Sequence, residues 1–200
     1  MFREGLLVIV SGPSGAGKGT VLKQLKDSDD RIRFSVSATT RPIRQGETEG
    51  LNYFFKTRDE FKSMIEKGQL LEWVEYCGNY YGTPKEYIES TIKEGYYCLL
   101  EIEVEGAANV MKAYSDCVSV FILPPSFEEL RRRIEQRATE KPEIVTKRLE
   151  RAKEEMAYIG NYDYVIVNDV VYDAVESLRC ILKAEKLKLS RNSKIIEQYK

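Results

Sequence analysis

The sequence predicts an α/β fold: a parallel central sheet flanked by helices, with a small mixed-sheet insertion at the carboxyl edge of its strands. Two observations predict it. The apolar run Leu6–Val10 feeds a glycine-rich loop and then a helical pattern, and strand-length apolar runs afterwards alternate with helical segments along the chain. That alternation is the signature of βαβ crossovers. Leu6–Val10 and Val118–Leu123 are apolar throughout, as expected of strands covered by helices on both faces. The block from about Ser37 to Thr83 breaks the rhythm with hairpin and aromatic signals, and reads as the insertion. Ligands of open α/β sheets bind at that edge.

The elements follow in order. A first helix is expected from about Thr20, then a short strand Phe34–Ala38 and a polar loop carrying Arg41, Pro42, Arg44, Gly46 and Gly50. Thr57 and Glu60 have capping-box spacing ahead of Phe61, Met64 and Ile65, and Gly68 ends that helix. Leu70–Tyr76, the turn Gly78-Asn79 and Tyr80-Tyr81 predict a hairpin. Thr83-Pro84-Lys85-Glu86 reads as an N-cap, a Pro at the first helical position and a Glu three on, opening a helix that Gly95 closes. Strands at Tyr97–Glu103, Val118–Leu123 and Tyr164–Val167 then alternate with helices near Ala107–Ala113, from Ser126, and a last one to about Leu189. Pro142 marks a break between two helices, and 190–200 is a polar tail.

Composition narrows the chemistry. The 200 residues, 42% of them hydrophobic, suit one compact domain with a full core. The 31 basic and 32 acidic residues leave no overall field for nucleic acid or an anionic membrane, so phosphate affinity must be local. No apolar run nears the roughly 20 residues of a membrane span, and the first strand leaves no room for a signal peptide. The expectation is a soluble, cytoplasmic protein. Cys77, Cys98, Cys117 and Cys180 are widely spaced, which predicts reduced, largely buried thiols rather than a metal or disulfide framework. With no histidine, Ser-His and Cys-His nucleophilic schemes are excluded. Phosphoryl transfer is not, because its catalysis is mostly positioning and charge stabilisation.

The loop itself, Gly12-Pro13-Ser14-Gly15-Ala16-Gly17-Lys18-Gly19-Thr20, has the form GxxxxGK after a strand and before a helix. Its glycines allow tight turns that point successive N–H groups at phosphate oxygens, Lys18 adds a mobile ammonium, and the helix aims its positive end inward. Ser or Thr usually follows the Lys to bind magnesium. Here that position is Gly19 and the hydroxyl is Thr20, so Mg2+ is expected mainly through phosphates and water, with Thr20 and Glu101 as candidate contributors.

From about Leu6 to Leu189 the chain resembles the guanylate kinase family. The resemblance is carried by GPSGAGKGT at 12–20, SVSATTRPIRQGE at 35–47, EW at 72–73 with GNYYGTP at 78–84, EIEVEGA at 101–107 and VIVND at 165–169. It implies a P-loop NTPase fold, with ATP and GMP as substrates and transfer of the γ-phosphate of ATP to GMP, and with use of dGMP also expected. The implied organisation is a core of about 1–36, 84–124 and 159–190, a GMP-binding insertion of about 37–83, and a helical lid of about 125–158. Oligomeric state is left open.

On this resemblance residues 12–20 bind the ATP phosphates, with Arg133 and Asn168, followed by Asp169, on the ATP side. Arg41 and Arg44 suit the GMP phosphate, because planar guanidinium groups grip phosphate bidentately. Tyr53 and Tyr81 resemble the tyrosines that complete that grip. Glu72 suits guanine, whose N1–H and N2–H2 it can accept at once, whereas adenine N1 is itself an acceptor. Ser37 and Thr83 resemble the hydroxyls that read the rest of the base edge. Glu101 and Glu103, where many relatives have Asp, are expected on alternate faces of a strand end, Glu101 near the acceptor and the water-held metal, Glu103 near the guanine or ribose. Glu105 has no assigned role. The working pair of the lid is expected to be Arg137 and Arg148, and Ala138 replaces a common Gly. Lys18, Arg41, Arg137 and Arg148 are thus the candidate catalytic residues. Two other readings remain open: a binding module that has lost turnover, and a kinase of another monophosphate.

Overall fold

The computed structural model describes residues 5–76, 78–137 and 142–193. Five parallel strands form the central sheet: β1 (Leu6–Ser11), β2 (Ile32–Phe34), β7 (Tyr97–Glu101), β8 (Cys117–Leu123) and β9 (Tyr164–Val167), in the order β2-β7-β1-β8-β9. The central strand β1 is wholly buried, and its side chains divide by parity. Leu6, Val8 and Val10 pack with Val21, Leu22 and Leu25 of α1 (Lys18–Asp27) and with Ala174, Val175 and Leu178 of α7 (Val171–Leu187). Leu7 and Ile9 face Ile88 of α3 (Lys85–Lys93) and Ala107 and Val110 of α4 (Val104–Ala113). Alternate residues of a strand point to opposite faces, so an uninterrupted apolar run is what a sheet covered on both sides requires.

A second, four-stranded sheet contains β3 (Ala38–Thr39), β4 (Phe54–Phe55), β5 (Leu70–Tyr76) and β6 (Asn79–Pro84), ordered β4-β3-β6-β5. It is mixed, with β3 and β4 parallel and the other pairs antiparallel. Phe61 of α2 (Arg58–Glu66) is fully buried against Ala38 and Leu70 of this sheet. The predicted capping box is present: Thr57 Oγ1 accepts from the Glu60 N–H at 3.2 Å and Glu60 Oε2 from the Thr57 N–H at 2.7 Å. The segment expected as a lid forms α5 (Phe127–Arg137) and α6 (Pro142–Met156), joined by a small core of Leu130, Ile134, Leu149 and Ala152.

Several boundaries differ from the sequence reading. The strand expected at 34–38 is two short strands in two sheets, because the chain leaves the core sheet after Phe34 and enters the insertion at Ala38. The Thr83 N-cap is not made: Pro84 holds the N-cap position without a side-chain bond, and the Thr83 hydroxyl is committed to Glu72. The strand β7 ends at Glu101, and Glu103 is instead the N-cap residue of α4, which starts at Val104 rather than Ala107. Helix α1 starts two residues early, at Lys18, and α7 ends at Leu187. Cys98 is buried as expected, but Cys117 is half-buried and Cys180 exposed, while Cys77 lies outside the described residues. Among the described residues no helix is long and apolar enough to cross a membrane.

Candidate functional site

The phosphate loop joins β1 to α1 and is built from positive-φ glycines where the chain has no alternative. Gly12 has φ 144° and a Cβ there would stand 2.1 Å from the Ile122 carbonyl oxygen; Gly17 has φ 88° and a Cβ there would stand 2.4 Å from Asn168 Nδ2. Both conformation and space demand glycine. Lys18 Nζ folds back over the loop and donates to the carbonyls of Gly12 at 2.5 Å and Pro13 at 3.3 Å. Burial pushes its pKa down, opposed by the carboxylates of Glu101, Glu155 and Glu103. The first turn of α1 contains no acidic residue, so its positive end is left for an anion.

One wall of the loop is held from a distance in sequence. Asn168, buried after β9, donates from Nδ2 to the Ala16 carbonyl at 2.8 Å. Arg133 of α5 donates from Nη2 to the Asn168 carbonyl at 3.0 Å and from Nη1 to that of Ala16 at 3.4 Å, and is anchored by Glu129 at 2.7 Å. Arg132 pairs with the same carboxylate, and the two guanidinium groups hold Glu129 down to about 2. Gly15, Gly17, Thr20, Arg133, Gln136 and Asn168 line a cavity of about 240 Å³, in which Gln136 was not foreseen. A larger open groove, about 760 Å³, lies between α2 and α3, lined by Lys56, Asp59, Met64, Lys67, Pro84 and Glu86. None of the loop residues reaches it, so size does not mark the chemical site here.

The insertion contributes two clusters. In the first, Arg41 is clamped by Glu47, Nη2 to Oε1 at 2.7 Å, and its guanidinium lies 5.4 Å from the Tyr53 ring centre. Tyr53 and Tyr81 meet edge-on at 6.1 Å. Glu47 also accepts from the Arg44 backbone N–H at 2.8 Å, which closes the loop around the two arginines. The Arg41 hydrogen bond, then that of Arg44, holds the Glu47 carboxyl below the usual range, and the same pairing raises Arg41. Arg41, Tyr53 and Tyr81 are therefore brought together as the sequence implied. Arg44 is exposed, and its charge acts on the same Glu47 carboxylate. Glu47 was missed as an organiser, although it closes the motif that carries both arginines.

In the second cluster, a bulge sets the geometry. Leu70 pairs with Pro84 and Trp73 with Gly82, so Leu71 and Glu72 together oppose Thr83. The extra residue turns Glu72 onto the Thr83 side, a re-aiming that bulges perform. Thr83 Oγ1 then donates to Glu72 Oε1 at 2.6 Å. Burial pushes the Glu72 carboxyl above its usual range, opposed by the Thr83 bond. A carboxylate so placed demands further donors. Ser37 is half-buried at the entry to β3, where its carbonyl accepts from the Phe54 N–H at 2.8 Å.

Between these parts, Glu101 ends β7 and stands exposed, while Glu103 turns outward at the head of α4. Arg151 of α6 approaches Glu103 at 3.7 Å and Glu105 at 3.4 Å, so α6 is tied at its C-terminal half to the head of α4. One turn on, Glu155 is buried with its Oε2 unpartnered, facing Lys18 and Arg151. Burial raises its pKa, and those two cations oppose the rise. Neither Arg151 nor Glu155 was singled out from sequence, because α6 has the mixed charge of any solvated helix. Arg137 ends α5 and its side chain, with Ala138, lies outside the described residues; Arg148 is half-buried on α6.

Sheet order and loop together define an α/β protein of the P-loop NTPase fold, with an arginine–tyrosine cluster and a Glu72–Thr83 pair on its separate mixed sheet. The guanylate kinase family model matches residues 4–185. The chain is 48% identical over 194 residues to the guanylate kinase of Desulfitobacterium hafniense, covering 97% of each, and 50% identical over 196 residues to that of Halalkalibacterium halodurans, covering 98% of this chain and 95% of that one. The crystal structure of guanylate kinase from Anaplasma phagocytophilum superposes with a TM-score of 0.71 at 36% identity, covering 96% of this chain and 90% of that chain. The chain belongs to the guanylate kinase family.

Proposed function

We propose that this protein transfers the γ-phosphate of ATP to GMP, giving ADP and GDP. The observation that carries the reading is the pairing of Glu72 with Thr83 across the β5 bulge, because a half-buried carboxylate with one oxygen engaged by a hydroxyl suits the adjacent donors of guanine and repels the N1 acceptor of adenine. The loop 12–20 takes the ATP phosphates, with Arg133 and Asn168 shaping the nucleoside side. Lys18 exchanges the Gly12 and Pro13 carbonyls for phosphate oxygens and follows charge toward the β- and γ-phosphates. Arg41, steadied by Glu47, and Arg44 hold the GMP phosphate with Tyr53 and Tyr81, so that one of its oxygens lies in line with the γ-phosphorus.

The bond from that oxygen to phosphorus forms as the bond to the ADP oxygen breaks, without a covalent enzyme intermediate. Arg137 and Arg148, on the lid, neutralise the charge spread over the transferring group. Among the described residues no three acidic or thiol side chains are arranged to cage a metal, and Gly19 offers no hydroxyl next to Lys18. That donor set fits Mg2+ delivered by ATP and held through phosphates and water, with Thr20 and the Glu101 carboxylate as the nearby hard oxygens. When bound, the ion offsets phosphate charge. Widely spaced cysteines and dependence on ATP and GMP favour a cytoplasmic setting. Chromatography of a mixture of protein, ATP, GMP and magnesium tests the reading: GDP and ADP should appear in equal amounts, and ADP without GDP would refute transfer to GMP.

A further inference from the structure

Gly106, in the first turn of α4, is a glycine without a backbone reason. Its φ is not in the positive range that favours glycine, and helix interiors disfavour glycine by about 1 kcal/mol relative to alanine. The neighbours of a Cβ placed there are side chains. Such an atom would stand 2.6 Å from Ile102 Cδ1, 2.9 Å from Ile102 Cγ1 and 3.6 Å from Glu72 Oε2. Gly82 gives the contrast, because a Cβ there would meet the Glu72 backbone oxygen at 2.8 Å and its absence is required by strand packing.

The two oxygens of Glu72 have different surroundings. Oε1 is engaged by Thr83, whereas Oε2 faces the bare first turn of α4. We infer that Gly106 is a specificity-determining residue: its missing side chain keeps Glu72 Oε2 open to the second donor of a purine base. This rests on the reading of Glu72 as the guanine acceptor. A methyl at 106 would press on the half-buried Ile102 and would come into contact with the outer oxygen of a carboxylate that Thr83 holds through Oε1. An apolar group against that oxygen removes a hydrogen-bonding site without changing any residue that bonds the base.

The test is steady-state kinetics and thermal unfolding of Gly106→Ala, Ile102→Ala and the double variant. Gly106→Ala should raise KM for GMP about tenfold, the scale on which one misplaced carbon acts in a binding pocket. KM for ATP should stay within about twofold, and any fall in Tm that comes from crowding Ile102 should disappear when the double variant is compared with Ile102→Ala alone. In the double variant, where Ile102 no longer obstructs the methyl, KM for GMP should remain raised relative to Ile102→Ala alone. An unchanged KM for GMP in Gly106→Ala, or its return to the Ile102→Ala value in the double variant, would overturn the inference. Failure of the unsubstituted protein to phosphorylate GMP would instead strike the reading of the whole site.

Discussion

Glu72→Gln separates recognition from stability at one atom. The carboxylate accepts from Thr83 through Oε1 and has Oε2 for the base. A glutamine that keeps its carbonyl oxygen on Thr83 turns its NH2 toward the donors of guanine, so one charge-assisted bond is lost and any other is weakened. Hydrogen bonds to charged groups contribute about 1.5–3 kcal/mol each, which gives a loss near 3 kcal/mol, or roughly 150-fold in kcat/KM for GMP. Adenine N1, an acceptor, now meets a donor, so kcat/KM for AMP should rise. Folding should respond in the opposite sense. Burial holds the Glu72 carboxyl above its usual value, so this group costs stability as pH rises from about 4.5 through its raised value, and the uncharged glutamine does not. The assay is ADP release with GMP and with AMP, alongside thermal melts at pH 4 and pH 7. A selectivity ratio unchanged from the parent would refute the assignment, and a collapsed Tm at pH 7 would refute the burial argument.

Other outcomes follow from the same contacts. Glu47→Ala should raise KM for GMP about tenfold with little effect on KM for ATP, because it frees Arg41 and the Arg44 backbone from one clamp; equal effects on both substrates would contradict a local role. Asn168→Ala should raise KM for ATP and lower Tm, since removing a buried partner of the Ala16 carbonyl costs about 1–3 kcal/mol. Nucleotide titration and a melt would check it. Glu129, held down to about 2, contributes stability that is complete above its unfolded value and lost as pH falls from about 4.5 toward 2. Glu129→Gln should flatten acid unfolding across that window, and a profile parallel to the parent would count against the Arg132–Glu129–Arg133 cluster as its source.

What the sequence made legible follows from how local the governing physics is. Continuous apolar runs gave β1 and β8, and Thr57 with Glu60 gave the capping box, because burial on two faces and a four-residue cap are both written in adjacent positions. Thr83 misled for the same reason: its cap spacing is real, but a partner 11 residues away takes the hydroxyl. The β5 bulge has no local signal, since the extra residue is defined only by the register against β6. The strand at 34–38 was divided by a change of sheet that periodicity cannot see. In the site, the loop was legible from its motif, while Tyr53 and Tyr81, which stand beside Arg41, were marked only by the family resemblance. Glu47, Glu129, Arg151 and Glu155 were not, because each acts through a partner and a charged residue among 63 ionic ones is ordinary until its neighbours are known.

Guanylate kinases transfer phosphate from ATP to GMP, and in this chain the transfer is proposed to run between the loop 12–20 and the insertion. Its most direct test is coupled ADP release with ATP and magnesium, offering GMP, dGMP, AMP, UMP, CMP and dTMP in turn, with Lys18→Ala as the control. Rapid turnover with GMP, some with dGMP, almost none with the rest, and loss of turnover in the Lys18 variant are the expected results. Turnover led by another monophosphate, or GMP-dependent turnover that survives loss of Lys18, would contradict the proposal.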